Sequence, residues 1–229
     1  MLLKVSNLQK KFNDKQVLNG IDFEIEPGEI VGLLGENGCG KSTLIKCINQ
    51  LLVFDQGTVK LDQANNEEDL HSMISYLPDK PALDPDWKVK DAIRFYKDFY
   101  SDFDESKARE QLKKMDLPEN RKIREMSKGM QEKLQLILAI SRKARLYILD
   151  EPLGGIDPAS RDRILDSILS QFEDGSSMLI STHLIADIER ILDRVLILKY
   201  GRIIDSRKAD EIREQENCSI DEYFRRIYA

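Results

Sequence analysis

Residues 29–43 read EIVGLLGENGCGKST, and the segment that follows, LIKCINQLL (44–52), has helical spacing. An apolar run of this kind is a strand buried on both faces. Between strand and helix stand Gly35, Gly38 and Gly40, then Lys41, Ser42 and Thr43. The pattern is G-x-x-x-x-G-K-S, a phosphate-cradling loop. Glycines let successive backbone amides curl around an anion without Cβ clashes. The helix that follows aims its positive end at the same anion. Lys41 is the natural partner of the β and γ phosphates, and the Ser42 hydroxyl is a ligand for Mg²⁺. A ligand-free glycine turn is the plainer reading. A chance match of the whole pattern in such a chain is about one in a hundred, and the strand before and helix after are the context the motif demands.

A second constellation strengthens the first. RLYILDEP (145–152) is a buried strand closed by Asp150 and Glu151. At the carboxyl end of a parallel strand Asp150 is placed to hold Mg²⁺, and Glu151 to act as general base for an attacking water. In open α/β sheets ligands collect at that edge, where the glycine loop also begins. More than 100 residues lie between Lys41 and Asp150, far more than one crossover needs. The intervening sequence contains MSKGMQEKL (126–134), with Ser127 and Gly129 just before an apolar helical pattern. Such a helix start is an anion site; equally, Ser127 is an ordinary N-cap.

The rest of the 229 residues fits one α/β domain. With 41% hydrophobic residues the chain can bury a sizeable core. SMLIST (177–182) is a third two-faced strand, whereas LLKVSNLQKKF, LNGIDFEIEPGE and GTVKLD alternate apolar and polar residues. The alternation predicts an antiparallel β layer beside a parallel core. KVKDAIRFYKDFY (88–100) and ESKAREQLKKMDL (105–117) have helical spacing, which places an α-helical insertion over about 84–144. SIDEYFRRIYA (219–229) reads as one closing helix. A net charge of −6 argues against broad attraction to nucleic acid. No apolar run approaches a membrane span, and the start MLLKVSNLQKKF lacks a signal-peptide core, so a cytosolic chain is expected. Three cysteines, Cys39, Cys47 and Cys218, form neither a disulfide framework nor a metal spacing.

Together these segments resemble the ATP-binding subunit of an ABC (ATP-binding cassette) transporter along nearly the whole chain. Gly35–Thr43 matches the Walker A loop, Leu146–Asp150 with Glu151 the Walker B strand, and MSKGM the signature LSGGQ. GGID (Gly154–Asp157) matches the D-loop, His183 in STHLIADIERILDRVLILKYGRI the switch histidine, and Phe12 the adenine-stacking aromatic. The resemblance implies a P-loop NTPase with a RecA-like parallel sheet, an antiparallel β subdomain and a helical signature subdomain. Residues 1–83 and 145–229 would form the catalytic core and 84–144 the signature part. It implies an ATPase that uses ATP and Mg²⁺ and is the motor of a membrane transporter. Gly35, Asn37, Gly38, Cys39, Gly40, Lys41, Ser42 and Thr43 would bind nucleotide, with Phe12 against the base. Ser42, Asp150 and Asp79 would face the metal. Two cassettes would dimerise head to tail, as identical or related chains, with Ser127 and Gly129 reaching the partner's γ-phosphate. Gly155 and Asp157 would link the two sites, and His183 would report the γ-phosphate beside Glu151 and Lys41.

The chain departs from the common pattern in three places. Lys128 and Met130 replace the first Gly and the Gln of LSGGQ, and Asp79 stands at the Q-loop glutamine. Cys39 falls inside the phosphate loop, where oxidation or alkylation would block nucleotide by bulk and charge; an inert filler is the other reading. SKGM and YLPD resemble cassettes of bacterial drug and antimicrobial-peptide exporters of the bacitracin-resistance type. In those the permease is a separate chain, so this one would sit on the cytoplasmic face of the membrane. Aromatics of PDWKVKDAIRFYKDFY, Trp87 among them, would contribute to the permease docking face or simply pack the insertion. The rival function is a soluble ABC ATPase outside transport, of the cofactor-assembly type.

Overall fold

In the computed structural model, which describes residues 1–80, 82–172 and 175–228, β1 (Leu3–Phe12) and β2 (Lys15–Ile25) form an antiparallel hairpin. Leu3, Val5 and Leu8 of β1 are all buried, which an unbroken two-residue alternation forbids. A register irregularity between Val5 and Leu8, with Asn7 at φ 47°, restores the inward face. Asn tolerates that left-handed backbone better than most residues. β3 (Ile30–Leu34) leads into the glycine loop and α1 (Lys41–Ile48), and β4 (Gln56–Leu61) returns to the free edge of β1. The expected antiparallel layer is therefore the three strands β2-β1-β4.

The chain continues through α2 (Glu67–Met73) and β5 (Ile74–Leu77) to three helices, α3 (Val89–Phe99), α4 (Glu105–Lys114) and α5 (Lys128–Ile140). Then come β6 (Leu146–Asp150), α6 (Pro158–Gln171), β7 (Ser177–Thr182), α7 (Ile185–Ile188), β8 (Arg194–Lys199), β9 (Arg202–Lys208), α8 (Ala209–Glu216) and α9 (Ile220–Tyr228). The large sheet has the order β5-β6-β7-β3-β8-β9, parallel throughout except for β9. β3, β6 and β7 are buried at every position, which explains their unbroken apolar sequence. This is the P-loop NTPase arrangement. Among the described residues no helix is long and apolar enough to cross a membrane.

Apolar packing divides into three clusters. Val31 and Leu33 face the antiparallel layer and α1, while Ile30 and Leu34 face α6, α8 and α9. The third cluster lies within the helical segment, with Val89, Ile93, Leu112, Leu134 and Leu138 packing α3, α4 and α5 together. Trp87 packs on this third cluster, its ring 5.1 Å from that of Phe95.

A polar clamp joins the helical segment to the sheet. Arg142, 3% exposed, donates to Ile74 O (2.7 Å), Ser72 O (2.8 Å) and both oxygens of Asp102 (3.1 and 3.2 Å). Its guanidinium carbon lies 3.9 Å from the Tyr100 ring centroid. A planar five-donor cation suits this site; lysine offers neither the fork nor the stacking face. Arg142→Ala leaves Asp102 without its cation and is expected to cost about 3 kcal/mol. Urea unfolding measures this, and Arg142→Lys is expected to recover only part of the loss.

Candidate functional site

The carboxyl ends of β3, β6 and β7 converge on a cavity of about 620 Å³. Its wall includes Asn37, Gly38, Gly40, Lys41, Ser42 and Thr43 from the loop, Asp79 after β5, and Asp150, Glu151, Gly154 and His183. The loop is shaped as its glycines require. Gly40 has φ 116°, and a Cβ there would meet Leu18 Cδ2 at 3.1 Å and Val17 O at 3.2 Å. No side chain caps α1, so its leading amides face the cavity mouth. Lys41 is 6% exposed; its ammonium donates to Gly35 O (2.7 Å) and Glu36 O (3.3 Å) and stands 4.0 Å from Glu151 Oε1.

Glu151 occupies a left-handed backbone position, φ 54°, a costly place for a residue with a Cβ. Its carboxylate repeats that constraint at the side chain. Oε2 accepts from Thr182 Oγ1 (3.1 Å), the His183 amide (3.4 Å) and His183 Nδ1 (2.9 Å). Facing a carboxylate, Nδ1 is the donor, which leaves Nε2 as an acceptor. A base held on one oxygen turns the other toward the cavity and Lys41.

Asp150 is 2% exposed and accepts from the Ser181 hydroxyl. Burial pushes its carboxyl above the ordinary range; the Ser181 and Ser42 hydroxyls oppose that, and the charges of Asp79 and Glu151 add to it. Ser42 and Asp150 thus share an all-oxygen corner short of positive charge, a donor set that suits a hard divalent cation. Among the described residues no cluster of three or more His, Cys, Asp or Glu forms a ready-made metal cage.

Other expected residues lie apart from the cavity. Phe12 ends β1, 45% exposed, with the Lys10 ammonium 5.2 Å from its ring. Ser127 caps α5, accepting from the Met130 amide (3.3 Å), and its side chain faces solvent rather than the cavity. Gly129 lies against Gly155, whose carbonyl would be 3.1 Å from a Cβ at Gly129. Asp157 caps α6 by accepting from the Ser160 amide (3.1 Å). Cys39 is half-buried beside Gly35; burial raises its thiol, with the nearby Lys41 charge acting in the opposite direction. The thiolate needed for oxidation or alkylation is therefore scarce near neutral pH.

Two site residues carried no motif. Glu132 and Gln135 line the same cavity from α5, beside Lys128 of the signature segment, which pairs with Glu132 at 3.6 Å. The Glu132 carboxylate lies over Gly155, in the space a Cβ there would take, so a larger residue would require that side chain to swing aside. Helical spacing from Lys128 was the available signal, since positions four and seven residues on share a face. Ser181 and Thr182 were visible only as the end of a strand.

Because the fold disfavours the charged form of Asp150, Asp150→Asn is expected to stabilise the nucleotide-free protein by a few degrees in its melting midpoint. The sign follows from linkage: for an acid with a raised folded pKa, stability is gained as pH falls through that pKa. The gain over the parent chain should accordingly be largest at neutral pH and shrink on acidification. Scanning calorimetry at several pH values checks both.

Known proteins share this architecture and sequence. A family model described as ABC transporter matches residues 18–154. An uncharacterised ABC transporter ATP-binding protein of Methanocaldococcus jannaschii is 36% identical over 219 residues, covering 92% of this chain and 79% of that protein. The ABC transporter ATP-binding protein YtrB of Bacillus subtilis is 31% identical, with 93% and 74% covered. Nod factor export ATP-binding protein I of Burkholderia lata is 30% identical, with 95% and 75% covered. A solved ATP-binding subunit of an ABC transporter superposes with TM-score 0.89 at 29% identity, both chains fully covered. A bacterial Atm1-family ABC exporter with ATP bound gives TM-score 0.84 over 99% of this chain and 42% of that one; at 16% identity the likeness is one of fold. Matched over more than half its length, and across nearly all of it by these relatives, the chain belongs to the ATP-binding subunits of ABC transporters, a family of ATPases.

Proposed function

We propose that the chain is the motor of an exporter, working as a head-to-tail pair of cassettes bound to a separate permease at the cytoplasmic face of the membrane. The observation that carries the paired reading is the place of Ser127. The cavity holds Lys41, Asp150, Glu151 and His183, while Ser127 faces solvent outside it. A helix start with free amides at the rim of the cavity, its Ser127 turned out to solvent, is suited to a phosphate held by another copy. The helical segment, about 84–144, is then the part that presents the signature. The export reading is supported by the named exporters among the proteins of similar sequence and fold.

In this reading the amides from Asn37 to Thr43 and the Lys41 ammonium hold the phosphates, with Phe12 against the base. Ser42, Asp150 and Asp79 hold Mg²⁺, which would neutralise charge on the bridging phosphate oxygens. Glu151 takes the proton of the attacking water, and its restraint by Thr182 and His183 fixes the direction of attack. His183 Nε2 faces the γ-phosphate when the ring carries a second proton. Ser127 and Gly129 close the site from the partner copy, and Gly155 and Asp157 carry the state of one site to the other.

Glu151→Gln keeps size and polarity but cannot accept a proton, so kcat should fall at least about a hundredfold with ATP binding retained. Steady-state ATPase assays and equilibrium binding read the two effects; unaltered turnover would refute the assigned role. Two inactive chains test the shared site. Lys41→Ala and Ser127→Arg should each lack turnover alone, yet a mixture should regain it, because a mixed pair contains one site with both residues intact. Continued silence of a mixture shown to pair in solution would reject trans assembly. Recovery of a multi-span membrane protein with the tagged chain supports transport, and recovery of a soluble assembly scaffold instead would favour the non-transport reading.

A further inference from the structure

The last turn of α9 brings Tyr228 to the beginning of the phosphate loop. Its hydroxyl donates to Leu198 O at the end of β8 and lies beside Gly35, at the start of the loop. Gly35 shows how tightly this corner is closed. A Cβ there would lie 2.5 Å from Cys39 Sγ, 2.7 Å from Leu198 O and 3.4 Å from Tyr228 Oη. The loop's first residue is thus enclosed by groups from three parts of the chain.

The phenol itself has little freedom. The Phe224 ring lies 4.4 Å from it, and the Lys199 ammonium stands 4.8 Å from its centroid. Lys199 also donates to Ile227 O at 2.7 Å, fastening the end of α9 to β8. On the opposite side Lys41 draws in Gly35 O and Glu36 O. The Gly35–Glu36 peptide is held between two groups, one of which is the lysine that meets phosphate.

We propose that Tyr228 is a positioning residue for nucleotide, its hydroxyl fixing the entry of the phosphate loop from outside the motif. Removing that hydroxyl leaves Leu198 O, which walls Gly35, without its donor, and the loop entry relaxes toward the vacated space. The amides that follow then meet phosphate less well aligned. Asp150 ends β6, two strands from β3, with Glu151 next to it, and neither is in contact with the Tyr228 hydroxyl. The effect therefore falls on binding rather than on the chemical step.

The test is Tyr228→Phe, which keeps the ring and its contacts. Affinity for a non-hydrolysable ATP analogue should weaken, and KM for ATP rise, by roughly three- to tenfold, the worth of about one neutral hydrogen bond. kcat should stay within about twofold, because the base and metal corner are intact. Unchanged affinity and KM would overturn the proposal, as would a loss of kcat at unchanged KM. The inference rests on residues 35–43 holding nucleotide, so Lys41→Ala is measured alongside. If Lys41→Ala binds the analogue as tightly as the parent chain, the loop assignment has failed and the tether with it. If Lys41→Ala loses binding while Tyr228→Phe keeps it, only the tether has failed.

Discussion

A lysine ammonium buried at 6% exposure, with two carbonyls in contact and a carboxylate at 4.0 Å, is the interaction on which the rest of the molecule depends. An isolated charge in such a place is costly, so its partners have to be supplied by the fold. The carbonyls come from the end of β3 and the carboxylate from the end of β6, with β7 lying between them in the sheet. β7 in turn sends Thr182 and His183 to hold that same carboxylate. The order β6-β7-β3 is therefore an electrostatic requirement as well as a topological one. One buried cation and one strained Glu151 meet only if three parallel strands end side by side.

How much of this was legible in the sequence depended on the range of each signal. The phosphate loop, the Walker B strand and the antiparallel layer announce themselves locally, through glycine spacing, an apolar run and an alternation that is broken once in β1 between Val5 and Leu8. The closing helix and the helical insertion were also visible as periodicity. β5 was not: ISYL is only four residues long, too short for its pattern to stand out. β8 and β9 were hidden too, because VLILKYGRI carries both strands with a turn of only Tyr200 and Gly201 between them.

Side-chain partnerships were harder still, because no short window contains both members. Arg142 meets Ile74 across nearly seventy positions, and Tyr228 meets Leu198 across thirty. Glu132 explains Gly155 only once α5 is packed against the turn after β6. In the signature the sequence offered two readings of Ser127, and the capping bond to Met130 is present in the fold. A cap and a displayed anion site are compatible, because a cap satisfies one leading amide and leaves others free.

The division of the apolar interior into three clusters has a consequence for how such a chain can drift. α5 belongs to two of them: Leu134, Ile137 and Leu138 pack with α3 and α4, and Leu136, Ala139 and Ile140 pack with the sheet. Substitutions in distant, separately packed regions combine additively. The outward faces of α3 and α4 can therefore be resurfaced, residue by residue, with little strain transmitted to the strand ends that carry the chemistry. An ancestral cassette could diversify what it touches while its phosphate corner stayed geometrically still.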